Sequence, residues 1–461
     1  LKSLSIFGTS NDDGKSTIAF ALTYILHKHG YKVAPFKAQS ISENSQVSDD
    51  GGEMAIPQHF AAEALGVKSS HLMNPVLLKR DSPTRTDLII NGNSFGKKDI
   101  WSCYKDTQIL KPYVKDAFSK LLKQYDCVVA EGAGNPVEQS FMKRDLSNIY
   151  IAEEFHTKII LVTSIDDGTL FSSIYGVYKL LPKKLRQNVI GVIVDRFQNN
   201  VPEVEDGASI IEQLFGMKVL GVVPHKELNA GFHDLKSMMA YPQDTSESII
   251  TVGVLKLPNI SNITDFEPLI ADKEIELRFI TGLHEASFCD LLILPGSKLV
   301  VEDLEWLIDG GFKNILTSKE QKLVAISGGY EMLHEFILDP HEVESQHKKV
   351  PGLARIEGNM ELKKKTFTKK ALYSIFGCKI EGYEIHNAIT KEVAVKKRNL
   401  YATHVHGIFE NDKFRNKLFR SINPDYKGYD YVAHKQKIID EFAAHIENSV
   451  NIDLIEKELL Q

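Results

Sequence analysis

Lys15 and Ser16 close a glycine-rich turn, G8-T-S-N-D-D-G-K-S-T17, which follows a short apolar strand, Leu4 to Phe7, and opens an amphipathic helix reaching about His29. Such a turn presents backbone N–H groups and a helix N-terminus to phosphates. Gly14 to Thr17 form the cradle: Lys15 reaches the outer phosphates, and Ser16 places its hydroxyl on Mg²⁺. Five residues separate Gly8 from Gly14, one more than the usual spacing, so a plain β-α turn is the competing reading. Glu131 closes an apolar strand and opens a glycine turn, where its carboxylate could hold the metal or simply cap the next segment. Lys37, after Pro35-Phe36, is a candidate for phosphate or a substrate carboxylate, or is a solvated lysine. Asp145 is a candidate for metal or substrate, or a helix N-cap before Leu146. Asp166 and Asp167 end another strand and read as candidates or turn residues.

A second site is written near the other end. The apolar run Leu323 to Ile326 ends in Ser327-Gly328-Gly329, followed by a helical pattern from Tyr330. A strand, a sharp turn, a reactive side chain at the tip and a helix behind it make a nucleophile elbow. A serine hydroxyl is a weak nucleophile unless a base takes its proton. His404 and His406 are the candidate bases, two residues apart and so expected on one face of a strand. Glu410 is a candidate to orient the histidine, or a surface charge. Backbone N–H groups at Gly296 and Gly328 are candidate oxyanion donors.

These residues need scaffolding. At 461 residues the chain is too long for one core, and ~2–4 domains are expected. Apolar β-rich runs at Cys127–Ala130, Ile159–Val162, Val189–Val194 and Val219–Val223 alternate with helical patterns. That alternation predicts a doubly wound parallel sheet with the phosphate turn at the carboxyl end of its first strand. A second set runs through Ile250–Leu255, Ile275–Phe279, Leu291–Leu294 and the elbow strand. It ends in a charged, strand-like stretch from Ala354 to Val395 and the Tyr401–His406 segment. The polar, turn-prone stretch Tyr241–Ser248 predicts the boundary, giving domains over 1–243 and 249–461. From Lys435 onward an amphipathic helix is expected.

Composition narrows the partners. Hydrophobic residues make up 43% and charged residues 25%, as in ordinary globular proteins. A net charge of −6 offers no basic surplus for nucleic acid. No apolar run reaches the roughly 18 residues of a membrane span, and no signal-peptide pattern precedes the first strand. Cys103, Cys127, Cys289 and Cys378 are widely spaced with no C-x-x-C. A reducing, cytoplasmic location is the expectation.

The chain resembles the cobyric acid synthases and, more distantly, dethiobiotin synthetase and cobyrinic acid a,c-diamide synthase. The resemblance rests on the phosphate turn, P-F-K-A-Q from Pro35, D-G-G-E from Asp50, M-N-P-V-L-L-K from Met73, E-G-A-G-N-P from Glu131 and D-L-S-N from Asp145. In the second half it rests on T-D-F-E-P-L from Thr264, L-P-G-S-K-L from Leu294, S-G-G-Y-E-M-L from Ser327, E-G-Y-E-I-H from Glu381 and V-H-G-I-F from Val405. It implies two α/β doubly wound domains: an N-terminal, P-loop, dethiobiotin synthetase-like ligase and a C-terminal class I glutaminase. It further implies ATP-dependent amidation of peripheral carboxylates of the adenosylated corrinoid diamide, with nitrogen from glutamine or ammonia. The family motif puts a histidine directly before glycine, which favours His406 over His404; His386 receives no catalytic role.

Three departures stand out. Ser327 occupies the place of the family's nucleophilic cysteine, which leaves the glutaminase half impaired. This is either an introduced substitution or a natural loss, with free ammonia or a partner glutaminase as the nitrogen source. Ser40 stands where the family has asparagine, and D166-D-G-T169 replaces an aspartate, an arginine and paired glycines. Two alternatives to corrinoid amidation stay open: a ligase on the same scaffold for another carboxylic acid, and a non-catalytic nucleotide-binding module of the partition type. The latter has no use for a glutaminase-like half. Oligomeric state is not legible.

Overall fold

In the computed structural model, residues 1–10, 13–80, 85–99, 107–138, 144–164, 169–197, 202–231 and 235–461 are described. Cys103, Asp166 and Asp167 lie outside them. The chain divides into two compact units. The first comprises residues 1–42, 48–230 and 435–461, and the second 43–47 and 231–434. The sequence reading carried the second domain to residue 461; the contacts place the last segment with the first unit instead.

In the first unit six strands form one sheet, in the order Val219–Pro224, Val189–Phe197, Lys158–Ser164, Leu4–Gly8, Cys127–Glu131, Val33–Phe36. All pairs are parallel. The central strands are buried on both faces, which is why they read as continuous runs of Val, Ile and Leu, while the edge strand Val219–Pro224 is largely part-buried. Leu4–Gly8 lies centrally, and its neighbour pairs Ile6 with Glu131. That register sets Glu131 beside the mouth of the phosphate turn, at the carboxyl edge where α/β sheets bind ligands.

The helix Lys15–Lys28 covers one face through Ile18, Leu22, Ile25 and Leu26. The helices Tyr431–Ser449 and Ile452–Leu459 add Ile439, Phe442, Ile446, Ile455 and Leu459 to the same core. A smaller four-stranded sheet, Gln39–Ser42, Val76–Arg80, Arg85–Ile90 and Asn93–Asp99, was not anticipated from the sequence.

The second unit has its own six-stranded sheet, ordered Ile275–Ile280, Ile250–Leu255, Leu291–Leu294, Leu323–Ile326, Leu400–Thr403, Ala394–Lys397. Only the last pair is antiparallel. The elbow strand Leu323–Ile326 is fully buried and pairs Ile326 with Thr403, so the elbow and the histidine segment leave the sheet side by side. The charged stretch forms a long hairpin, Ile356–Ile375 with Cys378–Ile389. Among the described residues no helix is long and apolar enough to cross a membrane.

Candidate functional site

The phosphate turn is shaped by residues around its described part. Gly14 caps the helix at φ 78°, a conformation that favours glycine, and a Cβ there would lie 1.7 Å from Asp195 Oδ2, which would have to move aside. Asp13 accepts hydrogen bonds from Thr9 Oγ1 at 2.8 Å and from the Ser10 backbone N–H and hydroxyl. Lys15 is buried and donates to Ser10 O at 3.2 Å. Thr17 follows on the helix, half-buried.

Glu131 is the node of this site. Its Oε1 accepts from Ser16 Oγ at 2.5 Å and from Lys37 Nζ at 2.5 Å, and its Oε2 from Gln58 Nε2 at 3.2 Å. Burial alone would raise this carboxyl, but Lys37, Ser16 and Lys15 together hold it below the usual range. The structure therefore brings Lys15, Ser16, Lys37 and Glu131 into one cluster. Asn74, from the M-N-P segment, fixes Lys37 by donating to its carbonyl at 2.9 Å, and also bonds Ser40 Oγ and the Ala55 N–H. Sequence reasoning did not single out Asp13, Gln58 or Asn74.

Asp145 has a different use. Its carboxylate accepts from the backbone N–H groups of Asn148 and Tyr150 and from Asn148 Nδ2. Burial raises its pKa. Asn148 in turn donates to Ala133 O, and a Cβ on Gly132 would lie 2.1 Å from Asn148 Oδ1. Asp145 thus accepts from the backbone just ahead of and inside the Ile149–Phe155 helix, whose N-cap is Asn148; no helix begins at Leu146, where the sequence reading set its N-cap alternative.

In the second unit Ser327 has φ 50° and ψ −117°, a conformation that costs a non-glycine residue about 1–3 kcal/mol and clusters at functional sites. Its N–H is tied to Thr403 O at 2.7 Å. A Cβ at Gly328 would meet Ser297 N at 2.7 Å, and one at Gly329 would meet Leu294 O at 2.2 Å. The Ser297 and Gly328 backbones therefore abut. Gly296 also lies against the histidine: its Cβ would be 3.4 Å from His406 Cε1.

His406 is fully buried. Its Nδ1 meets Asp265 Oδ2 at 2.7 Å, and Asp265 Oδ1 accepts from the Gly407 N–H at 2.7 Å. Asp265 orients the ring, a role considered for Glu410 from sequence. His406 Nε2 has no hydrogen-bond partner among the described residues. Tyr383 stacks on the ring at 5.0 Å, and its backbone exchanges hydrogen bonds with the His406 backbone.

His404 does not share that environment. The strand ends at Thr403, so the expected alternation stops there. Its Nε2 faces Thr390 Oγ1 at 3.0 Å, and its ring stacks on His386 at 3.9 Å. Glu331, His386 and His404 bring ligand atoms within 4.8 Å of one another. The two imidazoles lie only 18° from parallel, however, and both His386 nitrogens face Ala388 O and Glu384. Ligation in the plane of both rings is not available there, so the trio reads as a closed polar cluster.

A family model described as the CobQ/CobB/MinD/ParA nucleotide binding domain matches residues 4–231. One described as the CobB/CobQ-like glutamine amidotransferase domain matches residues 251–414. The chain is 42% identical over 458 residues to the cobyric acid synthase of Acinetobacter baylyi, covering 99% of this chain and 98% of that protein. It is 33% identical to the cobyric acid synthase of Listeria monocytogenes, covering 99% and 96%. It is also 33% identical to that of Clostridium novyi, covering 98% and 96%.

Proposed function

The chain belongs to the cobyric acid synthase family, and on that premise we propose how its two units divide the reaction. The first unit is the ATP-dependent amide ligase. It activates peripheral carboxylates of adenosylcobyrinic acid a,c-diamide in cobalamin biosynthesis. A carboxylate does not condense with ammonia directly; the γ-phosphoryl group of ATP converts it to an acyl phosphate, from which ammonia displaces phosphate. Catalysis of such a transfer is mainly positioning and charge neutralisation.

Gly14 to Thr17 cradle the nucleotide phosphates, and Lys15 neutralises them. Ser16 Oγ and Glu131 Oε1, 2.5 Å apart, are the pair that would hold Mg²⁺. The fit is supported by Lys37, whose ammonium already sits on the same carboxylate oxygen as a cationic stand-in. Mg²⁺, when bound, supplies charge neutralisation on the phosphate oxygens. Lys37, beside Glu131, would take phosphate or the substrate carboxylate. Asp145 positions this site indirectly, through Asn148.

The second unit carries the glutaminase-like site: Ser327 at the nucleophile position, His406 as base, and Gly296 and Gly328 as oxyanion donors. With serine in place of cysteine, ammonia is the effective nitrogen source. A reducing, cytoplasmic location is part of this reading: among the described residues Cys127, Cys289 and Cys378 are free thiols, and burial pushes the Cys127 thiol up to about 12.

The observation that carries this reading is end-to-end similarity to cobyric acid synthases across both units. Its test is incubation with ATP, Mg²⁺, ammonium and adenosylcobyrinic acid diamide, read by mass. Amidated product should form, and Lys15→Ala should lower its rate by about a hundredfold or more while the fold survives. Full activity in Lys15→Ala would remove the phosphate turn from the mechanism.

A further inference from the structure

The helix Ile56–Ala64 buries Phe60 and Ala61 in one apolar core of the first unit and Ala62 in another. Gln58 is buried with them, only 4% exposed, at a position where an apolar side chain would pack as well. Its amide donates from Nε2 to Glu131 Oε2 at 3.2 Å. Glu131 is held ionised by Lys37, Ser16 and Lys15 and can only accept, so this contact fixes which way the amide faces. Gln58 Oε1 is thereby turned to the other side, buried and with no hydrogen-bond partner among the described residues. A buried amide oxygen is ordinarily paired, so this one, beside a phosphate and cation site, calls for a donor brought by a ligand. The helix is anchored to that site. Asn74 Oδ1 accepts from the Ala55 N–H at the helix N-cap at 3.0 Å, while Asn74 Nδ2 donates to the Lys37 carbonyl at 2.9 Å.

We propose that Gln58 is a positioning residue of the cation site: its Nε2 orients the Glu131 carboxylate, and its Oε1 accepts a hydrogen bond from the hydrated ion. The proposal rests on the reading above that Ser16 and Glu131 hold Mg²⁺. Nε2 occupies Glu131 Oε2 and so leaves Glu131 Oε1, the atom that meets Ser16 and Lys37, for the ion. Mg²⁺ sheds its waters reluctantly, and each water it keeps is a donor that an amide oxygen can receive. A neutral amide serves both ends without adding a charge that would compete with Glu131 for a proton. An outer partner that orients a ligating carboxylate is worth about 10–100-fold in metal affinity. Gln58 acts through Glu131.

The test measures Mn²⁺ binding to the full chain by electron paramagnetic resonance, with a non-hydrolysable ATP analogue present and no turnover. Gln58→Met keeps the volume and removes both amide contacts. It should fold with an unchanged or higher thermal midpoint, yet bind Mn²⁺ about 10–100-fold more weakly. Gln58→Glu sets a second carboxylate beside Glu131, and such a pair shares a proton that the cation must displace. Its Mn²⁺ affinity should therefore fall between about pH 8 and pH 6, where the parent's stays flat. Either variant decides alone if the other does not fold. Unchanged affinity in folded Gln58→Met, or a Gln58→Glu profile as flat as the parent's, would overturn the proposal. Glu131→Gln separates this inference from the reading beneath it. Loss of Mn²⁺ binding in Glu131→Gln with none in Gln58→Met sinks the role of Gln58 alone, whereas binding indifferent to Glu131 removes the cation site itself.

Discussion

Glu331 sits one turn behind Ser327, fully buried, and burial, reinforced by Glu344, pushes its pKa up to about 8 from 4.5. Below the ordinary value both folded and unfolded chains hold the proton, and the group is neutral to stability. Between that value and about 8 the unfolded chain releases the proton and the folded one keeps it, so stability falls as pH rises. The penalty is complete above about 8 and amounts to a few kcal/mol in order of magnitude. Glu331→Gln keeps the shape without the charge. Its thermal midpoint should match the parent near pH 5 and exceed it by roughly 5 °C or more at pH 8. A difference constant across that range would place the proton elsewhere. At this scale local motifs were readable: Lys15, Ser16, Glu131 and Ser327 each end a strand or open a helix, His406 follows a strand by three residues, and all lie within a few residues of glycine. Partnerships were not. Asp265 lies 141 positions from His406, so no spacing ties them, and Glu410 drew attention only because it is near in sequence.

The elbow depends on two backbones passing without side chains between them. A methyl at Gly329 would lie 2.2 Å from Leu294 O and 2.7 Å from Leu294 C, atoms of a buried strand that cannot yield. Gly329→Ala should cost about 1–3 kcal/mol by denaturant titration. Gly176, inside the Leu170–Leu180 helix with open space around it, is the control: Gly176→Ala should stabilise by about 0.5–1 kcal/mol. Equal effects would mean that the elbow can shift to accept a side chain. Elements buried on both faces were readable because their apolar runs are unbroken: Ile250–Leu255, Leu291–Leu294 and Leu323–Ile326 match the expected runs at both ends. The four-stranded sheet from Gln39 to Asp99 was not, since polar residues such as Lys79, Arg80 and Asp87 interrupt its short strands. The long hairpin was seen only as strand-like, because Lys363, Lys364, Lys365, Lys369 and Lys370 obscure its alternation.

The order of the chain is not the order of the units. The closing helices complete the first unit's core, and Lys2 N–H bonds Leu459 O at 2.8 Å. The sequence reading set the boundary at Tyr241–Ser248, whereas the units divide between residues 230 and 231; the return of 435–461 was not legible either, because an amphipathic helix does not say which apolar surface it covers. Ending the chain at His434 removes Ile439, Phe442, Ile446, Ile455 and Leu459 from that core. At about 1.5–3 kcal/mol for each buried side chain the loss rivals a whole domain's stability. The first unit should then lose cooperative unfolding, measured by circular dichroism and proteolysis. An unchanged melting curve would mean that the helices only decorate it. The most direct test of the two-unit mechanism varies the nitrogen source and one atom together. ATP-dependent amidation of adenosylcobyrinic acid diamide is measured with ammonium or with glutamine, for the chain as it stands and for Ser327→Cys. The parent should form product from ammonium and little from glutamine, while Ser327→Cys should use both and release glutamate through His406. No product from ammonium in either form, or equal use of glutamine by the parent, would contradict it.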